Sequence, residues 1–342
     1  MKPKNKASLF WVGVTLAASV LALGSTAKAV DDGPRAYWKT RSGTNVVSVQ
    51  YLFLDMQSND SKMFEPSNFI FPNSDAQADL FLASYARHFT LFDRPSSFAV
   101  NILGGSADVD IDATRVPSQF LPPGFISGPS FSQSATGFGD PTMQLDVNLV
   151  GTPPLISTVD LVNYEPSFTI DAAVLVAVPI GQYDGNSLVN IGQNRMFGRV
   201  ALPMKYHFGA FAPGFMKSIE FTPSVWLFGE NDDFLGQNME NDPLWQLEGH
   251  VTFDFTRSFF GSLDLLYRTG FQSEINGVEV GDEIEIGDLG FTLNFQVTDN
   301  LSMRASYSSN LFGDSNLDSS LVRLQLVYGW HRLTENIKKL TE

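Results

Sequence analysis

Alternation of apolar and polar residues with a period of two is the feature that most constrains what this chain can fold into. Near the carboxyl end, within Arg323–Trp330, one face of an extended strand would carry Leu324, Leu326, Tyr328 and Trp330. The opposite face is polar or small. Such a strand fits a soluble sandwich with its apolar face in a core, or a membrane barrel with that face toward lipid. The pattern of one strand leaves both structures open.

The alternation recurs in about twelve segments, each long enough to cross a membrane as a tilted strand of roughly 9 to 11 residues. The predicted strands are 45–56, 77–92, 96–109, 139–150, 167–178, 198–209, 218–229, 244–257, 259–272, 284–297, 300–311 and 319–331. Pro203 and Pro223 fall inside two of them, where proline removes a ladder donor, so we expect bulges there.

The connections between these segments favour the membrane barrel. If the amino terminus is periplasmic, the odd-numbered gaps are long and most even-numbered gaps are tight, as at 93–95 and 257–258. Short turns at one end and long loops at the other are typical of bacterial outer-membrane barrels. The gap at 151–166 is the exception and predicts a small periplasmic excursion. The sequence thus predicts an all-β, transmembrane, antiparallel up-and-down barrel of about 12 strands, with short periplasmic turns and longer extracellular loops.

The amino-terminal residues predict export. Three lysines precede an apolar run, 9–23, that is shorter than the roughly 20 residues of a spanning helix, and Ala27-Lys28-Ala29 resembles a cleavage site. An amino-terminal anchor is the alternative. The predicted organisation is a signal peptide at 1–29, one outer-membrane barrel at 30–331 and a polar periplasmic tail at 332–342.

Composition excludes several functions. Loss of the leader would remove four lysines and no acids, which leaves 18 basic against 37 acidic residues, a net charge of −19. A chain that acidic is unsuited to neutralising nucleic-acid phosphates. The absence of cysteine excludes disulfides, thiolate metal sites and cysteine nucleophiles. Four histidines without metal-ligand spacing give no metal site, and no motif predicts a cofactor.

Several short motifs, in order along nearly the whole mature chain, resemble the family named for the MetA pathway of phenol degradation. The matching stretches are 35–37, 43–45, 85–87 before the 91–94 turn, GFGDP at 137–141 with 147–149, PIGQYD at 179–184 with Asn190, Gly192, Asn194 and Arg195, then 230–233, 242–244 and 276–277. Asp93, Met196 and the carboxyl-terminal tail depart from the family pattern.

This resemblance implies an outer-membrane transporter linked by name to uptake of aromatic or other hydrophobic compounds. We therefore expect a porin-like channel for passive passage of small hydrophobic solutes, located in the bacterial outer membrane. The expected partners are these solutes, outer-membrane lipid and lipopolysaccharide, and the barrel-insertion machinery, which would recognise the last strand. Trp226, Trp245, Tyr267, Tyr328 and Trp330 are expected to anchor the barrel at the membrane interfaces.

Charged residues on the predicted inward faces are the candidate lumen-lining set. They are Arg87, Asp171, Arg199, Lys205, Glu248, Asp254, Asp264, Arg268, Asp288, Arg304 and Arg323. In a barrel of this size they would line a narrow lumen and select solutes by their field. Alternatively they would form a salt-bridged plug, since charges in a narrow barrel must pair to offset desolvation. The sequence leaves both roles open.

Two glycine-rich motifs are the candidate rim elements. In GFGDP, Gly137 and Gly139 are expected to supply permissive backbone angles in a rim turn, and Asp140 to bond backbone donors. The second motif contributes Pro179, Gly181, Tyr183, Asn194 and Arg195 to an outer loop, which either gathers ligand and folds into the lumen or is a packed turn.

Two other function classes stay open. Barrel hydrolases exist, including phospholipases, but the chain has no G-x-S-x-G elbow and its histidines are scattered. A structural or adhesive barrel without transport is the third class. The acidic stretch 230–233 could hold a calcium ion or bridge to lipopolysaccharide through divalent cations, although its spacing does not match a calcium loop.

Overall fold

A computed structural model describes residues 32–58, 75–112, 130–210, 212–280, 283–313 and 317–331. Eighteen strands and one short helix lie in this part of the chain. They are β1 (Thr44–Ser58), β2 (Asp75–Leu91), β3 (Arg94–Asp112), β4 (Ser130–Phe138), β5 (Thr142–Val150), α1 (Thr158–Val162), β6 (Phe168–Ala177), β7 (Phe197–Ala201), β8 (Met204–Phe208), β9 (Lys217–Phe228), β10 (Asn231–Phe234), β11 (Gln237–Asn241), β12 (Leu244–Thr256), β13 (Phe259–Gly270), β14 (Ser273–Ile275), β15 (Val278–Val280), β16 (Ile284–Gln296), β17 (Leu301–Gly313) and β18 (Leu317–His331).

The wall is a closed antiparallel barrel of twelve strands. Neighbours in sequence pair around the wall, and β18 pairs with β1 from Thr44↔His331 to Ser58↔Leu317, which closes the ring. Two wall strands are each broken in two: β4 with β5, and β7 with β8. Closure gives the strands of the main ring partners on both sides, the condition for strands in lipid, while among the described residues β4 pairs only with β3. The predicted fold class is confirmed.

Apolar side chains face outward on every side of this wall. Leu324 and Leu326 are about half exposed, and their counterparts on the other strands, such as Val49, Leu145 and Phe291, share this orientation. The polar side chains alternating with them are buried inside. This arrangement inverts that of a water-soluble barrel and matches a lipid-facing band around a polar lumen. In the described residues, the one helix, α1, is too short to cross a membrane.

The turns follow the predicted asymmetry. At the end that holds both termini of the wall, β2 and β3 join through Phe92-Asp93, whose φ angles of 49° and 58° form a two-residue turn of the kind that suits strand twist. The 151–166 excursion carries α1, which starts at a capping box made by Ser157 and Asp160. We take this end as periplasmic, as in related barrels.

Both prolines in predicted strands lie at one irregularity of the wall. Pro203 sits in the break between β7 and β8, where β9 passes with Pro223 opposite Leu247. The Leu202 N–H donates to the Pro223 carbonyl at 3.0 Å. This bond joins the two strands at the break, where neither proline has an N–H to donate.

The extracellular end differs from the prediction in two ways. The stretch 130–138, predicted as loop, is strand β4, so GFGDP spans a break within the wall and is not a rim turn. The loops after β9 and β13 also form a second, four-stranded sheet in the order β10-β11-β14-β15. We call this sheet, together with the loop 178–196, the outer cap.

Candidate functional site: a filled lumen in two halves

The residues before β1 run inside the barrel. This N-terminal segment, residues 32–43, reaches across the lumen. Arg35 fixes it there through contacts with several wall strands. Its backbone N–H donates to Glu220 at 2.9 Å, its Nε donates to Thr252 at 3.1 Å, and its guanidinium pairs with Asp254 at 2.8 Å. The guanidinium also lies 3.9 Å from the Phe260 ring centroid. One residue of the segment thus binds β9, β12 and β13 together.

A second cluster joins the segment to the opposite wall. Lys39 Nζ pairs with Asp146 of β5 and with Asp171 of β6, the latter at 3.0 Å. Lys205 of β8 pairs with Asp171 at 2.8 Å and donates to the Tyr37 carbonyl. The charges alternate in sign, so each buried carboxylate has a cation beside it. Such pairing offsets the desolvation that isolated buried charges would suffer.

A third cluster holds the start of the segment. Asp32 accepts from the Tyr37 hydroxyl at 2.6 Å and pairs with Arg199 at 2.8 Å. Arg199 lies 3.7 Å from Glu248, which accepts the Gly33 N–H at 3.0 Å. The segment therefore fills the periplasmic half of the lumen as a fitted part of the structure.

His250 belongs to this network, and its surroundings bear on the hydrolase class. Its Nδ1 lies 2.7 Å from Asp264 and its Nε2 lies 3.0 Å from Glu248. Ser262 and Thr292 donate to Asp264 rather than to the imidazole. A catalytic histidine needs one nitrogen toward a nucleophile. With a carboxylate at each nitrogen, His250 is arranged as a structural bridge.

Ten of the eleven candidate lumen residues lie on the inward face. Asp171, Arg199, Lys205, Glu248, Asp254, Asp264, Arg268, Asp288, Arg304 and Arg323 face the interior, most of them fully buried. Arg87 does not: it is exposed on the outward face that also carries Phe81 and Tyr85. The mixed pattern of β2 explains the error, because the lumen side of this strand is apolar and the charged side faces out.

Trp226 is likewise misplaced by the sequence interpretation. It is 1% exposed and points inward, where it packs on Phe197 and lies near the Arg199 guanidinium. Its Nε1 donates to Gln246 at 3.3 Å. Trp245 and Tyr328 are on the outer surface as expected for interface anchors.

The extracellular half of the lumen is filled by apolar side chains. Leu52, Leu54 and Met56 of β1 form one side of a buried cluster, to which β2 and β3 also contribute. The outer cap supplies the other side through Leu188, Val189, Ile191, Phe234, Met239 and Ile275. A few residues farther along the same strands, the lumen changes from charged to hydrophobic.

The glycine motifs hold the cap in place by close approach. Asp140 accepts the N–H groups of Gly181 at 2.8 Å and Gln193 at 2.7 Å. A Cβ on Gly181 would stand 2.7 Å from the Gly139 backbone, and one on Gly137 would collide with Gln182. Neither Gly137 nor Gly139 has a positive φ. The expected reason, permissive backbone angles, is therefore wrong, and the requirement is space.

The rest of this loop folds into the mouth of the barrel. Pro179 precedes the tight contact of Gly181 with the wall, and the Tyr183 hydroxyl accepts from Asn231 at 2.8 Å. Asn194 donates to Asn231 at 3.0 Å and to Asp232 at 3.1 Å. The acidic stretch 230–233 is thus used in packing. Within the described part of the chain, no cluster of three or more His, Cys, Asp or Glu suits a metal ion.

Arg195 is the buried cation of the cap. Its guanidinium lies over Phe228 and Phe271, at 4.9 and 5.9 Å from the ring centroids, and donates to Gln193 and Asn241. Burial lowers the pKa of Arg195 to about 10. Its hydrogen-bond acceptors, Gln193 and Asn241, are neutral, and the cation–π contacts with the two rings take the place of an ion pair.

Among the described residues, four of the seven pairs between Lys or Arg and Asp or Glu include a residue that sequence reasoning missed. Asp146 and Glu220 face inward on β5 and β9, and the alternation that identified their neighbours could have found them. Arg35 and Lys39 were not predictable in this role, because the segment before β1 has no periodicity that places it inside the barrel.

Comparison with known proteins identifies a matching family and similar solved barrels. The family model described as "Putative MetA-pathway of phenol degradation" matches residues 60–316. No protein of curated function matches significantly. Among solved structures, the COG4313 outer membrane channel from Pseudomonas putida F1 is similar with a TM-score of 0.68 and 16% identity, over 88% of this chain and 100% of that chain.

Two other barrels resemble the chain less. A FadL homologue from Pseudomonas aeruginosa has a TM-score of 0.42 and 10% identity, over 94% of this chain and 97% of that one. The beta domain of the Bordetella autotransporter BrkA has a TM-score of 0.47 and 9% identity, over 84% and 100%. The family match, which extends over most of the sequence, is the finding that assigns the chain: this protein belongs to the MetA-pathway of phenol degradation family of outer-membrane barrels.

Proposed function

We propose that the protein is a channel for passive passage of small hydrophobic or aromatic compounds across the outer membrane, after export by a signal peptide at 1–29. Family membership and a closed barrel with an apolar outer belt support this proposal. The observation that carries it is the lumen: ten of the eleven candidate charged residues face inward, where a solute would pass, and Arg87 alone among them faces outward.

The inward charges give the channel its selectivity. Arg268, Arg304 and Arg323 lie on β13, β17 and β18, away from the carboxylates that bind Lys39 and Lys205. The electrostatic field of these arginines acts in a narrow passage of low dielectric and therefore discriminates between solutes by charge. Partner recognition completes the proposal: lipid and lipopolysaccharide contact the outer belt, and the insertion machinery recognises the end of β18.

Reconstitution of the purified protein tests the function. Liposome swelling and single-channel recording should show solute flux and conductance, and a deletion strain should lose uptake of some members of a panel of aromatic compounds. Phospholipid hydrolysis abolished by His250→Ala would instead identify a hydrolase. Neither flux nor hydrolysis, with normal insertion, would identify a structural or adhesive barrel and overturn the proposal.

A further inference from the structure

The inward face of β17 borders open space. Five polar side chains form this face, and all of them are partly exposed: Ser302, Arg304, Ser306, Ser308 and Asn310. The inward side chains of β9 from Ser218 to Trp226 are buried instead, and so are those of β12 from Gln246 to Asp254. Because the wall is closed, a side chain in the middle of this face can be exposed only to space inside the barrel.

The position of the N-terminal segment explains this asymmetry. From Asp32 to Lys39, its hydrogen bonds and ion pairs join it to β5, β6, β7, β8, β9 and β12. In the ring of twelve strands, β17 lies opposite β6. The segment thus packs against one side of the lumen and leaves space along the other, where Gln325 of β18 and Gln50 of β1 are also partly exposed.

At the extracellular end this space opens at the rim of the barrel. A cavity of about 250 Å³ lies there between β17 and β18, whose ladder ends at Ser309↔Ser320. Asn310 and Ser319 line the cavity from the inward face, and the Ser319 hydroxyl donates to Asn310. The polar face of β17 therefore begins at the rim and passes beside the apolar cluster under the outer cap.

The space is narrowest beside Ser308. The cavity at this constriction measures about 10 Å³, which is room for one water molecule. Ser308 and Ser319 contribute hydroxyl groups to its lining, and three leucines close its other side. Asp288 also lines it, and the Oδ1 of Asp288 is buried without a hydrogen-bond partner among the described residues. A water molecule can donate to this oxygen and bond to a serine hydroxyl, so water is the ligand that fits both the size and the chemistry of the constriction.

We propose that a water-filled path runs along the inward face of β17, from the rim past the constriction at Ser308 to Ser302, and that water molecules pass the constriction in single file. The path lies beside both closures of the lumen, the outer cap and the N-terminal segment. Hydrated ions and aromatic rings are excluded, because pore diameter and lining groups decide what passes. Water permeation of this kind goes beyond the proposed function, since larger solutes need a movement of the cap or of the segment.

Osmotic shrinkage of liposomes tests the path. In a sucrose gradient, followed by stopped-flow light scattering, liposomes that contain the protein should lose water faster than protein-free liposomes. Ser308→Leu fills the constriction and should remove this difference. Ala305→Leu places the same side chain on the exposed, lipid-facing side of β17, so it is the matched control and should leave the water flow unchanged.

Thiol modification tests the path without any measurement of flow, in variants that alter packing little. The chain has no cysteine, so each single substitution introduces one thiol. In the detergent-solubilised protein, Ser302→Cys and Ser306→Cys should react with methyl methanethiosulfonate, as detected by intact mass, because the reaction requires access to the sulfur. Ser224→Cys, at a buried inward position of β9, is the matched control and should stay unmodified.

The results distinguish the path from the proposed function. Water flow that is lost in Ser308→Leu, in a protein without solute flux or conductance, would sink the channel function and keep the path. Equal water flow in Ser308→Leu and the unaltered protein would overturn the path, whatever the solute flux. Equal thiol reactivity of Ser306→Cys and Ser224→Cys would overturn it as well.

Discussion

The two halves of the lumen are closed by opposite physical means inside one continuous wall. The periplasmic half is closed by charges, with Arg35 and Lys39 of the N-terminal segment inserted between wall carboxylates. The extracellular half is closed by apolar packing of the outer cap against β1, β2 and β3. Charge pairing is specific and fails abruptly when one partner is lost, whereas apolar packing fails in proportion to the volume removed.

This difference matters for transport. When the N-terminal segment moves, water or a solute can replace it as the partner of each wall charge, because a charged side chain is stable in a hydrated lumen. The apolar cluster offers no such alternative. We therefore expect the charged half to control conduction and the apolar half to act as a fixed support.

The largest effect is expected where one partner of a buried pair is removed. Asp171→Ala would leave Lys39 and Lys205 facing each other without their shared carboxylate. Loss of a buried partner typically destabilises a protein by about 3–5 kcal/mol. The midpoint of urea unfolding in lipid vesicles measures this, with Asp108→Ala on the exposed rim as control. A change within the error of the control would show that the periplasmic half is already hydrated.

Truncation of a buried side chain in the apolar half should cost nearly as much stability but should leave ion selectivity unchanged. Leu52 is fully buried in the apolar cluster, and Leu52→Ala should lower the free energy of unfolding by about 2–5 kcal/mol. Ion selectivity in planar bilayers should not change, because no charge moves. Altered selectivity with this variant would contradict the division of the lumen into a charged and a supporting half.

Deletion of 32–41 should change conduction more than stability. Water would replace the segment, leaving seven inward carboxylates (Asp146, Asp171, Glu220, Glu248, Asp254, Asp264 and Asp288) against five Arg or Lys (Arg199, Lys205, Arg268, Arg304 and Arg323). We expect conductance to rise several-fold and reversal potentials to shift toward cation selectivity. Unchanged conductance would mean that solutes bypass the segment.

The smallest expected effect is on ion selectivity, and it distinguishes charges on the inward face of the barrel from charges on the outward face. Arg268→Gln removes an inward charge paired with Asp288 and should shift ion selectivity. Arg87→Gln removes a charge from the outward face and should leave selectivity as it is. Equal shifts in the two variants would show that selectivity comes from the surface charge of the whole protein.

Local sequence was sufficient to predict the strands of the wall, because a strand in lipid is restricted in both backbone pairing and side-chain orientation. Every backbone group must pair within the sheet, and side chains alternate strictly between lipid and lumen, so each strand carries its own orientation in its residues. Leu324 and Leu326 show this: their outward position followed from their spacing. The hairpins of the cap also have a local signal, since Asn276-Gly277 adopts the two positive φ angles of a tight hairpin turn.

Local sequence failed where contacts join distant parts of the chain. Arg87 was misplaced because β2 carries apolar residues on both faces, so its pattern does not decide which face meets the lumen. Trp226 does alternate in step with Glu220, Thr222 and Ser224 on the inward face of β9, and it was misplaced because it was assigned to the interface by residue type instead of by spacing. The N-terminal segment has no periodicity, and its place inside the barrel depends on carboxylates up to 219 positions away, as for Arg35 and Asp254.

By itself, then, the sequence determined a closed twelve-stranded barrel with lipid outside and charges inside, because the period-two pattern encodes both strand and face. Only the tertiary structure decided that one half of the lumen is ion-paired and the other apolar. The reason is that the pairing of a charge and the packing of a cap are set by which residues meet across the lumen.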